Sequence, residues 1–309
     1  MALGDVIPQL LDAGSELKPS LLGRLSGLAP EEQRELFQVW SDIPTARRLM
    51  IIRAVTGMAE DNIEMEFTAL LCASLKDDDA SVRASAAAGL WETVDRIVIA
   101  PLTTMLETDD SHEARAAAAS ALSHFAEMAE AGKLIERDVA ILRSALLGAV
   151  EDEAEEAAVR RRALEAIAPM RHPDVPGWIR WAYQSGEPLL RQSAVYAMGR
   201  TCDPAWLPVI VAEFGSDIAA MRFEAANAAR ELADAKTLPH LHELTNDDDP
   251  QVALAAVHAV GGIGGTAARR LLKHYVEQGD STLSEAAQEA LRVLEADEGD
   301  FSMLTLQEP

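Results

Sequence analysis

The stretch "LLRQSAVYAMGR", residues 189–200, decides the fold, because its pattern returns 31 residues later in "AMRFEAANAARE", residues 220–231. Each copy contains an arginine, Arg191 or Arg222, preceded by an apolar residue and followed three positions later by alanine. Positions −1, +3 and +7 relative to the arginine are apolar in both copies, and these positions share one face of an α-helix. The stretch therefore predicts an amphipathic helix that recurs with a fixed period.

The same register extends over much of the chain. Seven segments carry alanine at +3, and six of them also carry alanine at +6, where the seventh has Gly89. Their zero positions are Arg83, Arg115, Arg160, Arg191, Arg222, Ala253 and Ser284. A second helical stretch precedes each segment, and neither helix can bury its apolar face alone, so the pattern predicts about seven to eight stacked helix pairs.

Acidic residues at position −4 are expected to cap the second helix of several pairs and to complement its dipole. These residues are Asp79, Glu156, Glu187, Asp249 and Asp280. The triplets 77–79 and 247–249 consist of aspartate alone, lack EF-hand spacing, and are interpreted as solvated turns at an acidic edge of the stack.

The segments "DDDPQVALAAVHAVGGIGG" (247–265) and "DDDASVRASAAAGLW" (77–91) resemble the HEAT-repeat family in its short bacterial, phycobilisome-lyase-type form. The resemblance covers residues 80–295 and implies an all-α, armadillo-like fold, a right-handed α-α superhelix or HEAT-repeat solenoid. It also implies that an arginine at the head of the second helix pairs with acids in adjacent turns. The predicted arginine ladder is therefore structural and comprises Arg83, Arg115, Arg160, Arg191 and Arg222.

Three regions are predicted along the chain. Residues 1–60 are interpreted as a degenerate N-terminal helical cap, and residues 61–296 as the HEAT-repeat solenoid. The solenoid is interrupted by an insertion near residues 125–140, which is either a tolerated elongation or a projection that contacts a partner. Residues 297–309 form an acidic and apolar C-terminal tail, either a cover or a docking segment.

The charge restricts the class of partner. The net charge of −24 opposes binding to nucleic acid or to an anionic membrane, and it is explained either by solubility or by attraction to a basic partner. No apolar run approaches the roughly 20 residues that span a bilayer, and the N-terminus lacks a basic leader with an apolar core. With two cysteines far apart, the chain is expected to be cytoplasmic.

The sequence does not predict an enzyme, a metal or a cofactor. Some HEAT-repeat proteins resemble deoxyhypusine hydroxylase, whose His-Glu pairs would fall at +1 and +2, and no His-Glu pair occupies those positions here. The acidic inner helices argue against the resemblance to HEAT-like DNA glycosylases, and no residue marks a bilin site as in phycobilin lyases. Phosphate-binding and nucleophile motifs are also missing from the sequence.

The candidate binding residues lie at +5, +8 and +9 of the second helices, which line the concave face of HEAT solenoids. Position +5 offers an aromatic, an amide and an imidazole in consecutive pairs, with charged neighbours, which suits recognition of a protein or peptide. The residues are Tyr196, Asn227, His258, Trp91, Arg200, Arg230 and Glu231. The hypothesis is a non-catalytic scaffold or adaptor that uses this face and the acidic edge. The alternative is an accessory subunit or lyase-like enzyme.

Overall fold

The computed structural model describes residues 3–278 and 281–305, and the side chains of residues 3–277 and 281–296. Every regular element in these residues is a helix, which confirms the all-α fold. The chain divides into two compact units, unit 1 (Met1–Met170) and unit 2 (Arg171–Pro309).

Unit 1 begins with four irregular helices and continues with regular helix pairs, in which short single-turn helices precede or follow some members. The first four helices are α1 (Leu3–Leu11), α2 (Pro19–Leu22), α3 (Pro30–Val39) and α4 (Thr45–Asp61). The remaining helices are α5 (Thr68–Ser74), α6 (Ala80–Ala88), α7 (Ile99–Thr108), α8 (His112–Ala121), α9 (Ser123–Glu130), α10 (Glu136–Glu151) and α11 (Ala157–Ile167).

Unit 2 consists of helix pairs in sequence order, and adjacent pairs pack through their second helices α13, α15, α17 and α19. The helices are α12 (Val175–Gln184), α13 (Pro188–Arg200), α14 (Leu207–Glu213), α15 (Ala219–Leu232), α16 (Leu238–Leu244), α17 (Pro250–Ile263), α18 (Gly265–Gln278) and α19 (Ser281–Thr305).

Each of the seven segments identified from the sequence forms the second helix of a pair. They correspond to α6, α8, α11, α13, α15, α17 and α19. In the first six of the seven segments, the residues at −1, +3 and +7 are all buried, as are Leu190, Ala194 and Met198 of α13. In α19 the alanine at +3, Ala287, is buried. The apolar stripe is therefore the face through which each helix enters the core.

Small side chains allow the second helices of unit 2 to approach closely. A Cβ atom placed on Gly199 would lie 2.6 Å from the Cα of Ala228 on the neighbouring helix α15. A Cβ atom on Gly261 would lie 2.8 Å from the Cβ of Ala290 on α19. Because the nearest atoms are backbone or Cβ atoms, which cannot rotate away, the repeated alanine and glycine positions set the helix spacing.

The irregular regions have defined helices. Pro44 occupies the N-cap position of α4, so this helix begins directly after the proline. The segment near residues 125–140 contains most of α9, a turn, and the beginning of α10, so one extra helix lies between two regular pairs. The helix α19 continues into the predicted tail as far as Thr305, and residues 306–309 lie outside the described residues.

None of the helices in the described ranges 3–278 and 281–305 combines the length and apolar character needed to cross a membrane.

Candidate functional site

Two arginines of the predicted ladder make paired hydrogen bonds with an aspartate in the turn of the following helix pair. In unit 1, Nε and Nη2 of Arg83 each lie 2.7 Å from a carboxylate oxygen of Asp109. In unit 2, the same atoms of Arg222 lie 2.6 and 2.7 Å from the carboxylate oxygens of Asp247. These bidentate bonds join successive pairs with a fixed geometry.

The other three ladder arginines use different acceptors. Arg115 of α8 donates from Nε and Nη2 to the two carboxylate oxygens of Glu155, at 2.7 and 2.8 Å. Glu155 lies in the turn between α10 and α11, which follow the extra helix α9 in the sequence. Arg191 lies 2.7 Å from a carboxylate oxygen of Glu213, which belongs to the first helix of the next pair. Arg160 donates from Nε to a carbonyl oxygen of the helix α10 in its own pair. The register therefore fixes where each arginine lies, and the local turn determines which atom it contacts.

The acidic triplets are not uniformly solvated turns, because each aspartate has a distinct role. The carboxylate of Asp247 accepts hydrogen bonds from Arg222 and, at 2.9 Å, from the backbone N–H of Asp249. Asp249 in turn caps α17 by accepting from the backbone N–H of Gln251. The middle residue, Asp248, is exposed. The first aspartate thus binds the preceding pair, and the third begins the following helix.

The prediction that the residue at −4 caps the second helix is confirmed for Asp79 and Asp249 and is wrong for Glu156 and Glu187. Asp79 accepts from the backbone N–H groups of Ser81 and Val82, as Asp249 does from its own helix. Glu156 and Glu187 occupy the N-cap position without a side-chain cap bond. Aspartate is among the preferred N-cap residues, because its short side chain places the carboxylate beside the free amides. Asp280 lies outside the described residues.

A further ion pair in unit 1 was missed by the sequence register. Arg48 of α4 contacts Asp77 through Nε, at 3.0 Å from Oδ2, and through Nη2, at 3.0 Å from Oδ1. Trp40 donates its indole N–H to the same carboxylate at 2.7 Å. The Asp77 side chain is 1% exposed. The sequence does carry a signal for this ion pair, because Arg48 is followed by the apolar residues Ile51 and Val55 at +3 and +7. The signal was missed because position +3 is isoleucine here, whereas the seven segments all have alanine.

We expect the ladder pair of Arg222 and Asp247 to stabilise unit 2 at neutral pH and to lose this effect in acid. The hydrogen bonds from Arg222 hold the pKa of the Asp247 carboxyl below its ordinary value. An aspartate in the unfolded chain has a pKa of about 4. Because the pKa of Asp247 is lower than this in the folded protein, the ion pair stabilises the fold fully above about pH 4 and loses this effect as the pH falls further. Asp247→Asn should therefore lower the free energy of unfolding at pH 7 by about 1–3 kcal/mol, with a much smaller difference near pH 2.

Urea unfolding at a series of pH values measures this difference. Lys236→Ala is the control, because Lys236 lies in the same unit and its side chain is exposed. Its ammonium group lies 3.9 Å from a carboxylate oxygen of Asp234, a long and exposed ion pair. Its effect should be small at every pH, since exposed ion pairs contribute little. A difference between Asp247→Asn and the wild type that does not change with pH would contradict the assignment to the carboxylate.

The second helices of unit 2 form a cleft that contains five of the predicted binding residues. The cleft has a volume of about 310 Å³. Tyr196 and Arg200 of α13 lie on one side, and Asn227, Arg230 and Glu231 of α15 lie on the other. The structure therefore brings together residues that are separated in sequence by one helix pair.

The charged groups of the cleft are held in place by one another. Glu231 accepts from Arg200 at 3.1 Å and from Arg230 at 3.0 Å, one arginine on each of its two carboxylate oxygens. The stem of Arg230 lies against Gly262 of α17, where any Cβ atom would collide with it. The two guanidinium groups therefore have defined positions beside a phenol and an amide, an arrangement that can accept and donate hydrogen bonds to a peptide backbone.

Two predicted binding residues lie elsewhere. His258 of α17 is exposed and does not line the cleft, although it occupies the same +5 position one pair later. Trp91 belongs to unit 1, where it lines a different cleft with Ile63 and Glu92. Residues at equivalent register positions therefore do not form one continuous row, and the cleft between α13 and α15 is also lined by Phe223 and Glu224.

A larger cavity in unit 1 was not predicted from the sequence. It has a volume of about 740 Å³ and lies between α3, α5 and the start of α7. Its lining combines residues of the irregular N-terminal helices with residues of the first regular pairs, so no periodic signal could reveal it. Among the described side chains, no group of three or more His, Cys, Asp or Glu is arranged to hold a metal ion.

Stacked helix pairs joined by arginine–carboxylate contacts define the class of protein: an α-helical repeat protein with a surface cleft between successive second helices. The family model described as HEAT repeats matches residues 67–159 and 207–292, which is more than half of the chain. The chain therefore belongs to the HEAT-repeat family, and its fold is an all-α solenoid.

Solved structures agree with this fold. The complex of CpcE and CpcF of phycocyanin lyase from Nostoc is 17% identical, with a TM-score of 0.52 over 92% of this chain and 97% of that one. Yeast importin-beta (Kap95p) is 13% identical, with a TM-score of 0.52 over 94% of this chain and 46% of that one. Kap121p bound to Pho4p is 13% identical, with a TM-score of 0.50 over 95% and 38%. Comparison with curated proteins finds no match.

Proposed function

We propose that this protein is a non-catalytic scaffold or adaptor that binds a partner protein through the cleft between α13 and α15. The observation that carries the proposal is the convergence of Tyr196, Asn227 and the Glu231-bound arginines on one concave surface of unit 2. Aromatic and arginine side chains that are already positioned contribute strongly to protein binding, because little conformational entropy is lost when a partner contacts them.

The proposed partner is a protein or peptide, with nucleic acid and membranes disfavoured by the net charge of −24. Two of the similar structures are themselves protein complexes, CpcE with CpcF and Kap121p with Pho4p. Exposed carboxylates in the turns, such as Asp248 and Asp78, form the acidic edge of each unit and favour a partner with basic residues near the bound segment. We place this function in the cytoplasm.

Photo-crosslinking from the cleft tests the proposal. We would introduce p-benzoylphenylalanine in place of Phe223, which lines the cleft, and irradiate the protein in lysate of its source cells. The matched position is Leu189, which is exposed in the same unit and does not line the cleft. A protein crosslinked from position 223 and absent at position 189 would be purified and titrated against the unlabelled chain.

The titration then compares single variants. Tyr196→Ala and Asn227→Ala should each raise Kd at least about tenfold, the effect of losing a residue worth roughly 1.4 kcal/mol. His258→Ala should leave Kd within about twofold, because His258 lies outside the cleft. Circular dichroism confirms that each variant is folded. Equal binding by all three variants, or crosslinking that is the same from both positions, would contradict the proposed site.

An accessory subunit or lyase-like enzyme is the second candidate function. The observation in its favour is the similarity in fold to the CpcE–CpcF complex of phycocyanin lyase, which extends over most of both chains. Absorption spectroscopy and metal analysis of the protein purified from its own cells separate the two functions. A bound chromophore or a stoichiometric metal would favour the second candidate and contradict the non-catalytic scaffold.

A further inference from the structure

We propose that unit 1 carries a second docking surface, which binds a basic amphipathic segment of a partner protein. The surface is the α5 groove, defined as the cavity of about 740 Å³ lined by Phe37, Trp40, Ala69, Cys72, Ile97 and Pro101 together with a charged rim. Its volume falls within the range of about 300–1,000 Å³ that is typical of ligand-binding pockets. The groove consists of unit 1 residues alone, so this proposal stands apart from the cleft in unit 2.

Exposed apolar side chains extend this surface beyond the groove. A neighbouring cleft of about 190 Å³ contains Ile63, which is 99% exposed, and Trp91, and it shares Glu66 and Thr68 with the groove. Ile97 is 67% exposed at the edge of the groove itself. Large exposed apolar side chains that lie around adjoining concavities mark an interaction site, whereas single ones are ordinary on a protein surface.

The rim of the surface is acidic. Glu66, Asp78 and Asp95 line the groove and are exposed, and they face one exposed cation, Lys76. The remaining cation of the lining, Arg48, is already bound to the buried carboxylate of Asp77. An apolar floor with surplus carboxylates at its edge is complementary to a segment whose apolar residues enter the groove while lysine or arginine side chains contact the rim.

The charge also decides between possible occupants. A second copy of this chain would bring two molecules of charge −24 together, which electrostatic repulsion opposes. An anionic membrane is opposed for the same reason. A basic amphipathic helix satisfies both the apolar floor and the acidic rim, because its two faces carry the two kinds of residue.

The reactivity of Cys72 can show whether the groove is occupied. Cys72 lines the groove and is partly accessible, and burial raises the pKa of its thiol. Cys202, in unit 2, is exposed. A reagent that alkylates thiolates should therefore modify Cys202 faster than Cys72, and a segment bound in the groove should slow the reaction at Cys72 alone.

The probe is a fluorescent helical peptide of about 14 residues, with leucine at i, i+3, i+4 and i+7 spacing and lysine elsewhere. A second peptide replaces each lysine with glutamate. Fluorescence anisotropy measures binding to the full chain at physiological ionic strength, where weak long-range attraction is screened. Mass spectrometry follows alkylation of both cysteines at saturating peptide.

We expect the lysine peptide to bind, the glutamate peptide not to bind, and the alkylation rate of Cys72 to fall at least about tenfold while that of Cys202 stays constant. Ile97→Asp should raise Kd at least about tenfold. Ile135→Asp is the matched control, since Ile135 is 50% exposed in the same unit and lies outside the groove. Asp78→Lys should also weaken binding, because it reverses a charge of the rim.

The proposal is overturned if the lysine peptide does not bind, if both peptides bind equally, or if Cys72 reacts at the same rate with and without peptide. Equal effects of Ile97→Asp and Ile135→Asp would overturn it as well. Tyr196→Ala and Asn227→Ala should leave peptide binding at this surface unchanged, so the two proposals fail independently.

Discussion

Replacing Asp77 with alanine is expected to lower the free energy of unfolding by about 3–5 kcal/mol, the cost of removing one partner from a buried ion pair. The change leaves the guanidinium of Arg48 and the indole N–H of Trp40 without their shared carboxylate. It also removes the acceptor for the backbone N–H of Asp79, at the start of α6. Urea unfolding followed by circular dichroism measures the loss.

The matched control is Asp78→Ala, which removes the adjacent but exposed carboxylate. Its effect should stay within about 0.5 kcal/mol, as for most surface substitutions. A double-mutant cycle with Arg48→Ala separates the pair from its surroundings, because a true pair gives a combined loss smaller than the sum of the single losses. Additive losses would show that the carboxylate and the guanidinium are not coupled.

Replacing Arg47 with alanine is expected to detach α1 from the rest of unit 1. The Arg47 guanidinium donates to three carbonyl oxygens at and after the C-terminus of α1, those of Gln9 at 2.7 Å, Leu10 at 2.7 Å and Ser15 at 2.9 Å. Hydrogen bonds from a charged donor contribute about 1.5–3 kcal/mol each, and the carbonyl of Leu10 bonds to Arg47 in a buried environment. The backbone amides of α1 should therefore exchange hydrogen at least about 100-fold faster than in the wild type.

Hydrogen-exchange mass spectrometry distinguishes this local opening from global unfolding, since peptides from α7 and α8 should keep their wild-type protection. Arg53→Ala is the control in the same helix, because Arg53 is exposed. Arg47→Lys should give an intermediate result, since an ammonium cannot match the spread of a guanidinium over three acceptors. Unchanged protection of α1 in Arg47→Ala would refute the anchoring role.

The fold was predictable because one helix face carries the same apolar pattern in all seven segments, with alanine at +3 in each. Alanine at +3 is buried wherever it recurs, and this constancy fixes both the helices and their stacking. The register does not extend to α4, where Ile51 stands at the corresponding position and the helix packs against irregular neighbours. The boundaries predicted for the N-terminal cap and the insertion remain predictions, whereas the helices within them are now defined.

The candidate site was predictable in part. The +5, +8 and +9 positions gave the residues of the cleft between α13 and α15, because neighbouring second helices lie side by side in register. His258 and Trp91 satisfy the same rule without joining the cleft. The α5 groove was not predictable, since Phe37 and Ile97 are 60 residues apart in sequence and neither belongs to the repeated pattern.

The direction of the ladder has a consequence for synthesis of the chain. Each of the bidentate arginines bonds to an acid further toward the C-terminus, 26 residues later for Arg83, 40 for Arg115 and 25 for Arg222. During translation, the guanidinium therefore leaves the ribosome before its carboxylate, and the contact forms only when the next helix pair has emerged. At about 5–20 residues per second, each of these three arginines waits one to several seconds for its acid, so these contacts are completed stepwise from the N-terminus of the nascent chain.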